Sequence, residues 1–439
     1  MLLCILGLLW ASRDEFYRQG SLTLQRFTPL WLASFLLVLC IAVWVALISF
    51  RHVEYSDSLW WQFALHADAP RMLRATLVAA MAAMSFAIWK LLHAGKGMPV
   101  AGVDAGEAAR VREVVATSDA SSANVALLGD KRFIWSEDKL AFIMYQISGN
   151  SWIALGDPVG PVSSREELLW SFREMVDQHD GKPVFYQVSS AALAIYVDMG
   201  LAMAKLGEDA IVSLDDFSLR GSRYANFRHS ISRAEREGAV FEVLPRAELA
   251  AVIPELRAVS DEWLKDKGAK EKGFSLGAFS EPYLENFDCA LVRVGGSIVC
   301  FANIWTASAG AELSVDLMRY SQAAPKSVMD YMFAQIMLWG KANGYKWFSL
   351  GMAPLSGLEQ HALAPLWHKV GHLVFSHGES FYNFEGLRHF KEKFHPQWQA
   401  RYIACPGGLL GLPHALLDTS LLISGGLSGV LPKREKRDD

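Results

Sequence analysis

The chain has 439 residues, enough for two or three domains with a core in each. Its hydrophobic content of 52% is high for a soluble protein and is concentrated near the N-terminus, which marks membrane segments rather than a greasy globule. A formal net charge of −4 excludes a globally basic chain, so a nucleic-acid contact has to come from a local cluster of cations. Five cysteines with no CxxC pair exclude a disulfide framework and predict a reduced, cytosol-facing soluble part.

Residues 29–50 (PLWLASFLLVLCIAVWVALISF) are 22 positions without a charge, about 33 Å of helix, and predict a first membrane span. Residues 72–92 predict a second, Ala- and Met-rich one, with Arg74 and Lys90 snorkelling at its ends. The loop between them carries Trp60 and Trp61, suited to the interface, and the cations flanking the pair put both outer ends in the cytoplasm. Residues 1–95 are therefore expected to form a membrane hairpin, and 96–106 a Gly-rich linker. Met1 to Trp10 has neither the basic start nor the cleavage site of a signal peptide.

From there the composition is that of a globular protein. A helix at Arg110–Ala116 precedes short strands between Asn124 and Gly156, including Leu140–Ile147 and Ser151–Leu155, which end in the turn GDPVGP (Gly156–Pro161). Helix Arg165–His179, strand Pro183–Val188 and helix Ala191–Met199 continue a mixed α/β pattern. Ser218–Gly238 reads as a helix with Arg220, Arg223, Arg228, Arg233 and Arg236 within 17 positions, interleaved with Tyr224, Phe227 and His229. Such spacing fits a phosphate-backbone contact as well as a solvated face paired with Glu235 and Glu237. A second α/β round then begins: strand Val240–Val243, helix Ala250–Lys265, and strands Cys289–Val294 and Ile298–Ile304. GFSLGAF (Gly273–Phe279) and WFSLGMA (Trp347–Ala353) share FSLG by coincidence, since their flanks differ.

Glu312–Leu355 is the centre of the chain. In ELSVDLM the residues Leu313, Val315 and Leu317 alternate with Glu312, Ser314 and Asp316, the period of a half-buried strand, which puts Asp316 on the face opposite the packed one. Arg319 falls where the alternation breaks, and Ser321–Pro325 reads as loop. Ser327 and Asp330 predict a capping box for an apolar helix from Val328 to about Asn343, ended by Gly344, before a strand at Lys346–Leu350. A strand, helix, strand unit of this kind needs a parallel pair. Asp316, Arg319 and Lys326 beside a helix N-terminus suit an anionic substrate with a hydroxyl to be activated; a strand-end ion pair with a solvated lysine fits equally.

Towards the C-terminus, FYNFEGLRHFKEKFHPQWQARY (Phe381–Tyr402) sets Arg388, Lys391, Lys393 and Arg401 among Phe381, Tyr382, Phe390 and Trp398, cations beside aromatics that suit stacked bases or a phosphate headgroup. The apolar, Gly-broken stretch from Leu409 to Leu431 is expected to lie on the membrane, and KREKRDD to be disordered. His368 and His372 have the spacing of a metal pair, but no HExxH glutamate or cysteine joins them, so no metal is expected. Absence of Walker A and GxGxxG removes the usual support for nucleotide-binding and dehydrogenase readings.

Asp316 with PKSVMDY, FSLGMAPL and the pattern GLRxFKxKFxPxWxxRY, together with GDPVG upstream and the hairpin in front, resembles the aminoacyl-phosphatidylglycerol synthases, or phosphatidylglycerol lysyltransferases, of the multiple peptide resistance factor family. The resemblance implies an α/β protein in which tandem acetyltransferase-like (GNAT-type) mixed-sheet domains, 107–238 and 239–408, follow the transmembrane hairpin, with a tail at 409–439. It implies an enzyme of the bacterial inner membrane with cytoplasmic catalytic domains, using no cofactor. Aminoacyl-tRNA would be the donor and phosphatidylglycerol the acceptor, lysyl or alanyl transfer yielding lipid that lowers susceptibility to cationic antimicrobial peptides. The family's Asp-x-x-Arg pair and the first Lys of FKxKF carry over to Asp316, Arg319 and Lys391 as catalytic residues. The five arginines of 220–236 become tRNA contacts, and Lys326, Tyr382, Arg388, Lys393 and Arg401 lipid or phosphate contacts. Where the family commonly has Glu, this chain has Gln399, and a hairpin in place of a long flippase-like region speaks against lipid translocation. Homo-oligomers through the hairpin are an expected assembly. Rival readings are a transferase acting on a peptidoglycan precursor, a coenzyme-A-dependent acetyltransferase, which lacks its Gly-rich pyrophosphate cradle here, and a membrane-tethered RNA-binding scaffold.

Overall fold

The structure is a computed structural model, which describes Asp104–Leu358 and Phe384–Gly425 together with Cys40 and Met81. The expected spans 29–50 and 72–92, Tyr382, the histidines at 361–377 and the tail beyond 425 lie outside the described residues. Among the described residues no helix is long and apolar enough to cross a membrane.

Eleven strands make one sheet in the order β1-β2-β3-β4-β11-β5-β10-β9-β8-β7-β6. They are β1 (Arg132–Trp135), β2 (Phe142–Ser148), β3 (Ser151–Leu155), β4 (Lys182–Val188), β5 (Ala202–Ser213), β6 (Ala239–Leu244), β7 (Cys289–Val294), β8 (Ser297–Thr306), β9 (Glu312–Tyr320), β10 (Trp347–Pro354) and β11 (Gln397–Cys405). Two pairs, β3–β4 and β9–β10, are parallel; every other pair is antiparallel. β1 to β5 and β7 to β11 therefore repeat one connectivity. Their last strands are exchanged: β11 pairs with β4, β5 pairs with β10, and the two pair with each other at the middle. β6 adds an outer edge.

Helices cover both faces because alternate residues of most strands are apolar on each side. On one face a single core runs the width of the sheet, from Phe142, Ile153 and Val184 to Leu291, Phe301 and Leu317. It is closed by α1 (Ala105–Ala116), by α5 (Ile253–Asp266) and α6 (Glu281–Leu284), and by α9 (Gly408–Ser424). The other face has two separate cores. α2 (Arg165–Gln178) and α3 (Leu193–Asp198) pack over β2 to β4, while α4 (Ala225–Arg236) and α7 (Val328–Ala342) pack over β7 to β10. The final helix, α8 (Phe384–Glu392), sets Phe390 against this last core.

Four expectations are corrected. α9 buries Leu412 and Ala415 in the sheet core, and its Asp418 accepts a hydrogen bond from Ser151 Oγ at 2.5 Å, so this part of 409–431 packs on the protein instead of lying on a membrane. The basic helix begins later than Ser218, because Gly221 adopts a left-handed φ of 83° that a helix cannot contain; a 3-10 turn at Ser222–Tyr224 then leads into α4. Ser327 makes no side-chain cap; its hydroxyl donates to the Ser230 carbonyl at 3.2 Å, tying α7 to α4. Arg319 lies inside β9, not in the loop after it.

Candidate active site

β9 and β10 pair only through Glu312–Ser314 and Trp347–Ser349. Past these residues the parallel strands part, and opposite Ala302–Ile304 of β8 the register of β9 slips by one residue, a β-bulge at Asp316 and Leu317. Asn303, fully buried, secures it by accepting the Leu317 N–H at 2.8 Å. The extra residue reverses the alternation. Leu313 and Val315 point to the α7 core before the bulge, whereas Met318 and Tyr320 do so after it. Leu317 consequently joins the opposite core, and Asp316 and Arg319 come to one face, three positions apart in a strand that would otherwise separate them.

That face is covered, which corrects the expectation that Asp316 lies away from packed structure. Asp316 Oδ2 accepts from the Tyr283 hydroxyl at 2.7 Å and Oδ1 from the Gly277 N–H at 2.9 Å. Tyr283 in turn accepts from Trp305 Nε1 at 3.1 Å. A Cβ on Gly277 would stand 1.7 Å from Asp316 Oδ2, so only glycine lets the loop close on the carboxylate. Burial raises the proton affinity of Asp316 above the ordinary carboxylate range, with the Tyr283 and Gly277 hydrogen bonds and the Lys131 and Arg319 charges opposing it.

Arg319 is 4% exposed and its guanidinium has three hydrogen bonds. Nη1 and Nη2 donate to the two Glu271 oxygens at 2.6 and 2.7 Å, Nη1 also donates to Ser260 Oγ, and the group lies over the Trp263 ring at 5.4 Å. Its fork holds the loop after α5 rather than Asp316. Lys391, 5% exposed, reaches from α8 to the carbonyls of Gly351 and Met352, each at 2.9 Å. Gly351 lies as far past the last paired residue of β10 as Asp316 does on β9. Burial, against the Asp209 charge, pushes the Lys391 ammonium down to about 8. An apolar cleft of about 130 Å³ lies beside Met352, lined also by Leu206, Leu355, Leu416 and Ile423.

Three of the other expected phosphate ligands are tied to carboxylates. Arg388 pairs with Glu208 at 3.0 Å and Glu392 at 2.9 Å and stacks on Trp398 at 4.4 Å. Arg401 pairs with Asp209 at 2.6 Å, and Lys393 with Asp330 at 3.2 Å. Lys326 is exposed in the turn before α7, and Gln399 is exposed on β11. On α4, Phe227, Ile231 and Ala234 face the core while Arg228, Arg233 and Arg236 are exposed, as are Arg220 and Arg223 before it. Arg233 pairs with Glu237 at 2.9 Å, and Arg228 caps the carbonyls of Leu219 and Gly221 at 2.5 and 2.6 Å. No group of three metal-ligating side chains occurs among the described residues.

A family model described as phosphatidylglycerol lysyltransferase, C-terminal, matches residues 112–405. The chain belongs to the phosphatidylglycerol lysyltransferase C-terminal family. The Bacillus subtilis (strain 168) protein named phosphatidylglycerol lysyltransferase is 38% identical over 283 residues, 64% of this chain and 33% of its own length. A Staphylococcus xylosus protein of the same name is 34% identical over 276 residues, 63% of this chain and 33% of its own. The chain thus spans about a third of the length of the curated relatives it matches. Among solved structures, one described as the C-terminal domain of a lysylphosphatidylglycerol synthetase from Agrobacterium fabrum matches with a TM-score of 0.67 at 42% identity, covering 74% of this chain and 99% of that one. L-PGS from Bacillus licheniformis matches at 0.64 and 37% identity, with the same coverage. In this member of the lysyltransferase family, sequence reasoning passed over Tyr283, Gly277, Glu271 and Asn303. The GFSLGAF loop was their one visible signal, since it supplies Gly277.

Proposed function

We propose that the chain is the catalytic part of an aminoacyl-tRNA-dependent lipid aminoacyltransferase, built as tandem acetyltransferase-like domains and working on phosphatidylglycerol at the cytoplasmic side of a bacterial membrane. The observation that carries the reading is the half-buried Asp316 carboxylate on a β-bulge beside the parted β9–β10 pair, in a chain of this family. A carboxylate with raised proton affinity is a stronger base than an unshifted one.

In the proposed step a glycerol hydroxyl of the lipid attacks the ester carbonyl joining the amino acid to the tRNA ribose. The hydroxyl proton passes to Asp316, the new ester bond forms, the ribose oxygen leaves, and the proton returns to it. Lys391 has two of its three N–H groups on the Gly351 and Met352 carbonyls, and the third is suited to the oxyanion that develops on the carbonyl. Arg319 serves as a positioning residue through Glu271. The cleft beside Met352 is apolar enough for the start of an acyl chain, and the exposed cations of α4 suit tRNA phosphates. The membrane hairpin, tRNA contacts and lipid contacts expected from the sequence belong to this reading.

The test is to incubate the purified chain with phosphatidylglycerol vesicles and lysyl-tRNA or alanyl-tRNA labelled in the amino acid, then extract and chromatograph the lipid. Labelled lipid is expected with one of the two donors; its absence with both overturns the reading.

A further inference from the structure

Lys131 is a lysine with no exposed surface, placed immediately before β1 and therefore far in sequence from Asp316. A buried ammonium is costly unless something on the other side of the balance needs its charge. One hydrogen bond accounts for one of its three donors: Nζ to Asp130 Oδ1, at 2.6 Å. The other Asp130 oxygen accepts the Phe274 N–H at 2.8 Å, which anchors the loop whose Gly277 N–H binds Asp316. The Asp130 carbonyl also accepts from Gln146 Nε2 on β2, so the turn carrying Lys131 is held from both sides. Asp316 is close enough to Lys131 for each charge to act on the other.

We propose that Lys131 is a positioning residue for the transfer reaction, its buried ammonium keeping the Asp316 carboxylate ionised while Asp130 anchors the loop that seats it. This rests on the functional reading above. The groups facing Asp316 make the charge balance explicit. Tyr283 comes from α6, Lys131 and Asp130 from the turn before β1, and Arg319 from β9 itself with Glu271 as its partner. Arg319 is neutralised bidentately by Glu271, whereas Lys131 meets Asp130 through one oxygen only, the other being spent on Phe274. Of these two cations, Lys131 acts on Asp316 more strongly than Arg319 does.

Substitutions at Lys131 separate this role from packing. Lys131→Met removes the cation and should move the acid limb of kcat/KM for transfer up by about one pH unit, the scale of losing one nearby opposite charge. Activity should then recover as pH rises. Lys131→Gln, which keeps a hydrogen-bond donor for Asp130 and removes the charge, should move the limb in the same direction. Lys131→Arg should leave the limb near its wild-type position. A purely structural lysine would lower the rate at every pH and shift neither limb. If Lys131→Met does not fold, Lys131→Gln still decides: an unmoved or lowered limb overturns the proposal. Wild-type chain that transfers nothing would instead overturn the functional reading, so the two failures are told apart.

Discussion

The two parallel pairs of the sheet share a connectivity and differ in how far they stay zipped. β3 and β4 pair along the whole of β3, from Ser151 to Leu155, and Gly156 N–H extends the pairing to the Tyr186 carbonyl at 2.8 Å. β9 loses β10 after Ser314 yet stays paired with β8 on its other edge to Tyr320, and its bulge, Asp316 and Arg319 all lie in that run. A repeated scaffold is thus neutral about chemistry. What sets the second half apart is a strand that outlasts one of its two neighbours.

The largest expected effect comes from setting Asp316 against its counterpart past β3. Asp316→Asn should lower transfer by about a hundredfold or more, the scale of a lost general base. Asp157, which accepts the Ser189 N–H at 3.2 Å and lies 3.9 Å from Arg401, should tolerate Asn with a small fraction of that loss. Equal losses in the labelled-lipid assay would make the two halves one site. Asp316→Asn also bears on stability. Because the folded protein raises the proton affinity of Asp316, ionising it costs the fold: there is no cost below the ordinary carboxylate range, and the cost is complete above the raised value. Wild-type stability therefore falls as pH rises through that window, and at neutral pH the Asn variant should melt at a higher temperature than the wild type, a difference that vanishes in acid.

Gly277→Ala comes next, since its Cβ would collide with Asp316 and a displacement of about 1 Å can cost up to about a hundredfold. Gly156→Ala, at φ 70° with nothing within 4 Å of its Cβ, should cost only about 1 kcal/mol of stability and little rate. Rates and melting temperatures of the pair sharpen the contrast between the halves. For Lys391 the rate should decline as pH rises through about 8, where its ammonium loses its proton. Lys391→Arg should abolish that decline at a lower plateau, because a planar fork cannot reproduce the hydrogen bonds to Gly351 and Met352. An unchanged alkaline limb would remove Lys391 from the reaction. The smallest effect is expected from Arg223→Glu, just before α4, with Arg236→Glu on it. These should leave folding intact and reduce the salt dependence of tRNA use, by about one unit of slope for each phosphate no longer neutralised. A wild-type slope would make α4 a solvated face.

Much of the second half was legible. The alternation of β9, the apolar α7 and the stop at Gly344 follow from local periods, and α7 ends at Ala342. The bulge was not legible, because it depends on which β8 residue stands opposite, and Asn303 lies 13 positions before Asp316 across a turn. Nor was the pairing of Arg319 with Glu271, which joins a strand to a loop 48 residues earlier. The strands missed altogether, β5 and β11, are the two at the centre of the sheet. Their charged residues read as surface: Glu208 and Asp209 in one, Arg401 in the other. In the structure Asp209 and Arg401 neutralise one another across the strand pair, and Arg388 does the same for Glu208. Buried charges that pair across long separations look, one at a time, like solvent-facing ones.

The exchange of β5 and β11 also fixes an order of events during synthesis. β4 and β5 leave the ribosome with the edges meant for β11 still bare, and remain so until the stretch up to Cys405 has been made. At about 5–20 residues per second that is a wait of roughly ten to forty seconds. A nascent chain stalled in this interval would carry open strand edges able to pair with those of a neighbouring chain.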